Sequence, residues 1–328
     1  MKIHVLYEPL PGPWGGGNQF LKALKIELKR RNLYADIIET ADVIIINSIT
    51  AFNEFFSTLK ILRKYRGKTI IIRMDGPVCM IRGKDSYIDK CIFMISKTIC
   101  DGAVFQTEWN RKRSMDMGFS SELPNTVICN GADIEFFYEI PKHNSVPPYR
   151  IIATSWSPNW NKGFAYYKYL DENMDTKKYS FMFVGNSPID FINCRTISPV
   201  ESCTLGEYLR NSDIYLTGSQ NDPCSNSLIE ALDCGLPAVA FNGGGHPSIV
   251  KGGGVLFSTP QEMMTAIEKV SNQIEKYRKI LPKYYIDETA MQYYSFCKGI
   301  KSKRKKKWVT CMAYVSIYKM VGKLGLVH

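Results

Sequence analysis

The stretch that decides the fold is Gly218-Ser219-Gln220-Asn221-Asp222-Pro223-Cys224-Ser225-Asn226-Ser227-Leu228-Ile229-Glu230-Ala231-Leu232-Asp233-Cys234-Gly235-Leu236-Pro237. Residues 214–218 are a short apolar run that reads as a buried strand ending at the first glycine of this stretch. A polar loop follows, and helical spacing runs over 225–234. Gly235 closes that helix, and Pro237 leads into the next apolar run at 238–242. Asp222 falls in the loop and Glu230 in the helix, with seven residues between them. Ser227 and Glu230 are three apart and share a helix face. The N–H groups of Asn226, Ser227 and Leu228 open the helix, where no backbone acceptor serves them and the helix dipole is positive. Such an arrangement can hold a diphosphate while Glu230 accepts hydrogen bonds from vicinal hydroxyls. Asn242-Gly243-Gly244-Gly245-His246-Pro247 then supplies a glycine loop.

The same alternation extends outward. Strands are expected at 150–154, 181–185, 214–218 and 238–242, and helices at 205–211, 225–234 and 261–276. The amino-terminal half repeats the pattern, with strands at 3–7, 43–46, 69–73, 103–107 and 126–129 and helices at 19–31, 54–65 and 108–117. Continuous apolar strands alternating with helices argue for parallel sheets covered on both faces. The polar, proline-containing segment EIPKHNSVPPY at 139–149 reads as a linker. The expectation is an α/β protein with two doubly wound Rossmann-like domains, residues 1–140 and 141–285, facing a central cleft. Residues 286–328 are expected to form terminal helices with a basic tail, packing back on the first domain.

Two further loops follow strands. Gly15-Gly16-Gly17-Asn18 lies between the first strand and a helix, where glycines let the backbone approach a ligand. It is not a G-x-G-x-x-G dinucleotide fingerprint. Trp156-Ser157-Pro158-Asn159-Trp160-Asn161-Lys162-Gly163 follows the first strand of the second half, and Lys162 at its end can reach a phosphate as a point charge. Trp156 and Trp160 either line the site or pack.

In combination these segments resemble the family-4 retaining glycosyltransferases of GT-B fold, the glycosyl transferases group 1 with an E-x7-E motif. The carriers are Asp222, Glu230-Ala231, Gly235, Pro237 and Gly244-Gly245-His246-Pro247, in register with the family's acid, Glu-Ala-x-x-x-Gly-x-Pro and Gly-Gly-x-Pro pattern. Asn130-Gly131-Ala132-Asp133 with Phe136 is similar to its Asn-Gly-x-Asp segment, Lys162-Gly163 to its phosphate-binding Lys-Gly, and Gly15–Gly17 to its amino-terminal glycine loop. The resemblance covers about residues 1–280. It implies transfer of a sugar from a nucleotide-sugar donor to an acceptor hydroxyl on a glycan, lipid-linked or polysaccharide acceptor, with retention. Lys162, Asp222, Glu230 and Asp75 would carry the chemistry. Gly16, Gly17, Asn130, Ser157, Asn226, Ser227, Leu228, Gly244 and His246 would bind the donor. Lys162 and the helix start would neutralise the leaving diphosphate, Glu230 hold the ribose hydroxyls and Asp222 contact the donor sugar. No D-x-D triplet occurs, so no metal or other cofactor is expected.

Three departures stand out. Asp222 replaces the family's first Glu, and Ser157 lies where many members carry an Arg. Arg73-Met74-Asp75-Gly76-Pro77 occupies a region where many members place a His. Asp75 is either a substrate contact or a turn-forming Asp-Gly, and His246 either a ligand contact or a structural loop histidine. His4 and His143 are assigned no role.

Composition narrows the class further. The net charge is +11, yet residues 298–328 hold nine Lys/Arg and no acid, so the rest carries only +2. The run at 298–307 lacks interleaved aromatics or any nucleic-acid motif, so nucleic acid is not an expected partner. The basic cluster followed by an apolar segment suits an interfacial helix on an anionic membrane, or a cationic helix packed on the first domain. Ten singly scattered cysteines, no sequon and no secretory leader suggest a cytoplasmic, reduced protein, peripheral to the membrane. A sugar-nucleotide epimerase or hydrolase on the same fold, and a basic nucleic-acid-binding protein, are the alternatives.

Overall fold

A computed structural model describes residues 1–12, 15–141, 145–302 and 305–323; His143 of the linker and Lys303 and Arg304 of the basic run lie outside the described residues. The chain divides into two units. One comprises Met1–Pro9, Leu21–Cys129 and Asp287–His328, the other Leu10–Phe20 and Asn130–Ile286. The glycine loop after the first strand thus groups with the second unit.

The first unit holds a parallel sheet of β1 (Ile3–Leu6), β2 (Val43–Asn47), β3 (Thr69–Met74), β4 (Gly102–Phe105) and β5 (Asn125–Val127), in that spatial order. β2, β3 and β4 are buried at every position, and the runs Val43–Ile46 and Ile70–Ile72 are the continuous apolar segments expected of a sheet covered on both faces. A parallel bridge between Ile3 and Tyr34 lies on the flank of β1 away from β2. The chain therefore leaves β1 to one side and returns to the other, which makes a switch point there. The Ser86–Ile99 helix packs against Trp308–Lys323, whose Cys311 and Val315 are fully buried in the core. Lys306 precedes that helix with its side chain 4% exposed, bonded at 2.9 Å to the equally buried Asp101. Asp101 also accepts a hydrogen bond from Ile70 N.

The second unit holds β6 (Tyr149–Ser155), β7 (Tyr179–Gly185), β8 (Arg195–Ile197), β9 (Ile214–Thr217), β10 (Ala238–Phe241) and β11 (Gly254–Phe257). Their spatial order is β11-β10-β9-β6-β7-β8, all parallel. The winding reverses between β6 and β9, so the carboxyl ends of those two strands flank the switch point. Their amino ends are pinned together: the Asp213 carboxylate takes Arg150 N, the Arg150 guanidinium and the Ser145 hydroxyl. Burial pushes the Asp213 carboxyl up, but the hydrogen bonds and charge of Arg150 hold it down at about 2. Phe164, Tyr167, Phe181 and Phe183 pack ring against ring over the sheet.

The expected helix at 261–276 is two, Pro260–Asn272 and Ile274–Arg278, interrupted at Gln273, whose φ of −131° is not helical. Val270, Ile274 and Tyr277 nevertheless stay on the core side. The expected helix at 205–211 is Ser202–Arg210.

Candidate active site

Two loops leave the switch point and meet. The loop after β6 ends at Gly163, whose φ is +99° and where a Cβ would stand 2.5 Å from the Gly218 carbonyl carbon. No other residue allows the loops after β6 and β9 to touch backbone to backbone. Gln220 N donates to Asn161 O at 2.7 Å, and Gly218 N to the Tyr167 hydroxyl at 3.2 Å. This contact delivers Lys162 Nζ to Asp222 Oδ2, at 2.9 Å. The Asp222 carboxylate also accepts from Cys224 N at 3.2 Å and the Ser219 hydroxyl at 3.3 Å. Burial pushes the Asp222 carboxyl up, but the Lys162 charge and hydrogen bond outweigh it and hold the group below the usual carboxylate range.

The glycine loop after β10 closes on the same residue. Gly245 N donates to Asp222 O at 2.8 Å. Gly244 has φ +59°, and a Cβ there would lie 2.3 Å from that oxygen. His246 is fully buried at the start of the His246–Val250 helix. Its Nδ1 lies 3.0 Å from Phe241 O, an acceptor, so Nδ1 carries the proton and donates. Nε2 is then a lone acceptor, with no partner among the described residues. Burial pushes the imidazole pKa down while Asp222 pulls it up, and the net direction is down. His246 is therefore a neutral, fixed ring behind Asp222.

The Asn226–Asp233 helix starts with Ser225 Oγ accepting from Leu228 N at 3.4 Å, an N-cap. Ser227 Oγ lies 3.3 Å from Ser225 Oγ. Asn226 Oδ1 takes a hydrogen bond from Asn130 Nδ2 at 2.9 Å. A Cβ at Gly16 would stand 2.6 Å from Asn226 Cβ, so Gly16, Asn130 and Asn226 meet at the helix start. Asn18 holds the glycine loop shut, its amide accepting from Leu10 N at 2.9 Å and donating to Leu10 O at 3.0 Å. Gly17 has open space around it, and Gly15 packs on the Trp156 ring. Glu230, one turn into the helix, is 9% exposed and has no hydrogen-bond partner for its carboxylate among the described residues. Burial, with Asp233 adding to it, pushes that carboxyl up to about 7.

Two of the expected residues are engaged elsewhere. Ser157 turns its hydroxyl to Asn159 N, within its own loop. Asp75 belongs to the first unit, where Oδ2 accepts from Asn47 Nδ2 (2.7 Å), Ser48 Oγ and Ile49 N, and Oδ1 from the buried Arg73. Its carboxylate thus ties the end of β3 to the end of β2 and to the start of the Ser48–Asn53 helix that follows it. Ser219 and Asn18 were not singled out from sequence; Ser219 acts on Asp222, three residues on, a local spacing that could have signalled it, whereas Asn18 reaches back eight residues to Leu10.

Residues 192–286 match the family model described as Glycosyl transferases group 1. A probable sucrose-phosphate synthase of Thermosipho melanesiensis is 30% identical over 91 residues, which are 26% of this chain and 22% of that protein. The chain thus spans less than a quarter of that relative's length. Among solved structures, HepE of Anabaena in complex with UDP superposes over 92% of this chain and 100% of its own, with a TM-score of 0.68 at 15% identity. A sucrose-phosphate synthase from Thermosynechococcus elongatus superposes over 91% and 98%, with a TM-score of 0.69 at 12% identity. The fold is that of the GT-B glycosyltransferases.

Proposed function

We propose that this protein moves a sugar from a nucleotide-sugar donor to an acceptor hydroxyl with retention and without a metal, a reading supported by the match of residues 192–286 to the group 1 glycosyltransferase model and by the GT-B fold. The observation that carries the reading is the convergence of Lys162, Asp222 and the Asn226–Asp233 helix start on one switch point. HepE has been solved with UDP and with UDP-glucose, which supports a nucleoside-diphosphate sugar as the donor class here.

In this mechanism the bond between the anomeric carbon and the diphosphate breaks as the acceptor oxygen bonds to the same carbon, and the acceptor hydroxyl's proton passes to the departing diphosphate oxygen. Negative charge collects on the leaving diphosphate. Lys162 and the N–H groups of Asn226, Ser227 and Leu228 stabilise it, a role that placed cations and amides can fill in a partly dry site. Glu230, free of internal partners, accepts from the ribose hydroxyls. Asp222 takes a hydroxyl of the donor sugar; three donors already hold it ionised, which suits contact better than nucleophilic attack. The acceptor is a glycan, lipid-linked or polysaccharide hydroxyl, and residues 298–328 place the enzyme at an anionic membrane surface.

The test is a panel of nucleotide sugars with and without acceptors, scored by nucleoside diphosphate release. Lys162→Ala should lower turnover by about 10²–10³-fold, as loss of one charge-stabilising donor does elsewhere, and Glu230→Ala should abolish most of it. Chelator should leave the rate unchanged. Full turnover in both variants overturns the site, and an isomerised donor without transfer would favour an epimerase.

A further inference from the structure

The Trp308–Lys323 helix is apolar on two opposite faces. Cys311 and Val315 point into the core of the first unit, with Trp308, Tyr314 and Tyr318 partly buried beside them. Val309, Met312, Ile317 and Met320 are 72%, 44%, 55% and 61% exposed. Their spacing of i, i+3, i+8 and i+11 holds them in one outward stripe. A surface helix that is apolar all round has a second surface to meet.

Beside it lies the Phe55–Lys64 helix of the same unit, with Phe56 61% exposed. A groove of about 600 Å³ runs along it, lined by Phe56, Lys60, Arg63, Arg66 and, from the other helix, Met312. Lys60, Arg63, Arg66, Lys305 and Lys307 are exposed and have no ion-pair partner among the described residues. The basic run is not uniform, however. Lys306 is buried on Asp101, and Lys319 donates to Phe52 O at 2.7 Å and stands over the Phe52 ring. Two cations of the carboxyl-terminal segment therefore fasten the helix, and others stand around an apolar strip.

We infer that the Phe55–Lys64 helix and the outward stripe of Trp308–Lys323 form one docking surface for an anionic bilayer. Free cations bordering exposed Phe, Met, Val and Ile fit headgroup phosphates above the acyl boundary. The inference rests on the membrane reading of residues 298–328 given above, and extends it to residues of a different helix far away in sequence.

The experiment is co-sedimentation of the full chain with phosphatidylglycerol–phosphatidylcholine vesicles, against phosphatidylcholine alone. Binding to the anionic vesicles should weaken as salt is raised. Lys60→Gln and Arg63→Gln should each lower partitioning about fivefold, and Met312→Ser with Ile317→Ser should lower it on both vesicle types. All four side chains are exposed, and the unfolding temperature of each variant checks that it is folded. Binding of the intact chain that is unchanged by Lys60→Gln and Arg63→Gln overturns the two-helix surface and leaves the tail reading standing. No binding by the intact chain overturns both. A concentration-dependent dimer broken by Met312→Ser would assign the stripe to a second copy and also overturn the inference.

Discussion

At the residue scale, Glu230 and Asp222 are two buried acids in opposite states. Asp222 is ringed by donors and held ionised. Glu230 has no donor and exchanges its proton at about 7. If the ionised carboxylate holds the donor's hydroxyls, kcat/KM for the donor should rise with pH through about 7 and level off above it, because that ratio reports the free enzyme. Glu230→Gln should flatten the profile; an unchanged rise would place the titration elsewhere. Stability moves the other way. The folded chain keeps a proton that an unfolded glutamate loses above about 4.3, so this contribution falls as pH rises from there to about 7. Asp222 has the opposite sign: its depressed value adds stability that is lost on acidification.

At the scale of elements, the Asn226–Asp233 helix is short and depends on its cap. Ser225→Ala should cost about 1 kcal/mol, read as a lower urea midpoint, and Ser225→Asp should recover most of it. This helix was the most legible element in the sequence, since a polar cap, an apolar face and Gly235 bound it at both ends. The strands expected at 43–46 and 69–73 were equally plain, from the Val-Ile-Ile-Ile and Ile-Ile-Ile runs they contain. The Ser86–Ile99 and Phe164–Asn173 helices were not recognised. The first is buried along most of its length, with only Lys90 and Lys97 exposed, and the second carries four aromatics in its first six residues. Within the site, spacing placed Lys162, Asp222 and Glu230 at strand ends and a helix turn. It could not show that Lys162 reaches Asp222, which depends on Gly163 touching Gly218. Nor could it show that Asp75 is occupied by Asn47 and Ser48, because those contacts span 28 and 27 residues of sequence.

At the scale of the whole molecule, the carboxyl-terminal segment is part of the first unit's structure. The Lys306–Asp101 pair is buried on both sides, so Lys306→Ala leaves a carboxylate without its cation. Removing one member of such a pair costs about 3–5 kcal/mol. Thermal unfolding should fall accordingly, and trypsin should cut within residues 298–307 sooner than in the parent chain. The division of the chain has a consequence for inheritance. Residues 10–20 group with the second unit, and residues 287–328 group with the first. The polypeptide therefore passes from one unit to the other four times, and no single cut yields either unit whole. A recombination event that swapped a contiguous carboxyl-terminal half between relatives would leave behind the glycine loop that abuts Asn226. It would also carry away the helix that covers the opposite sheet.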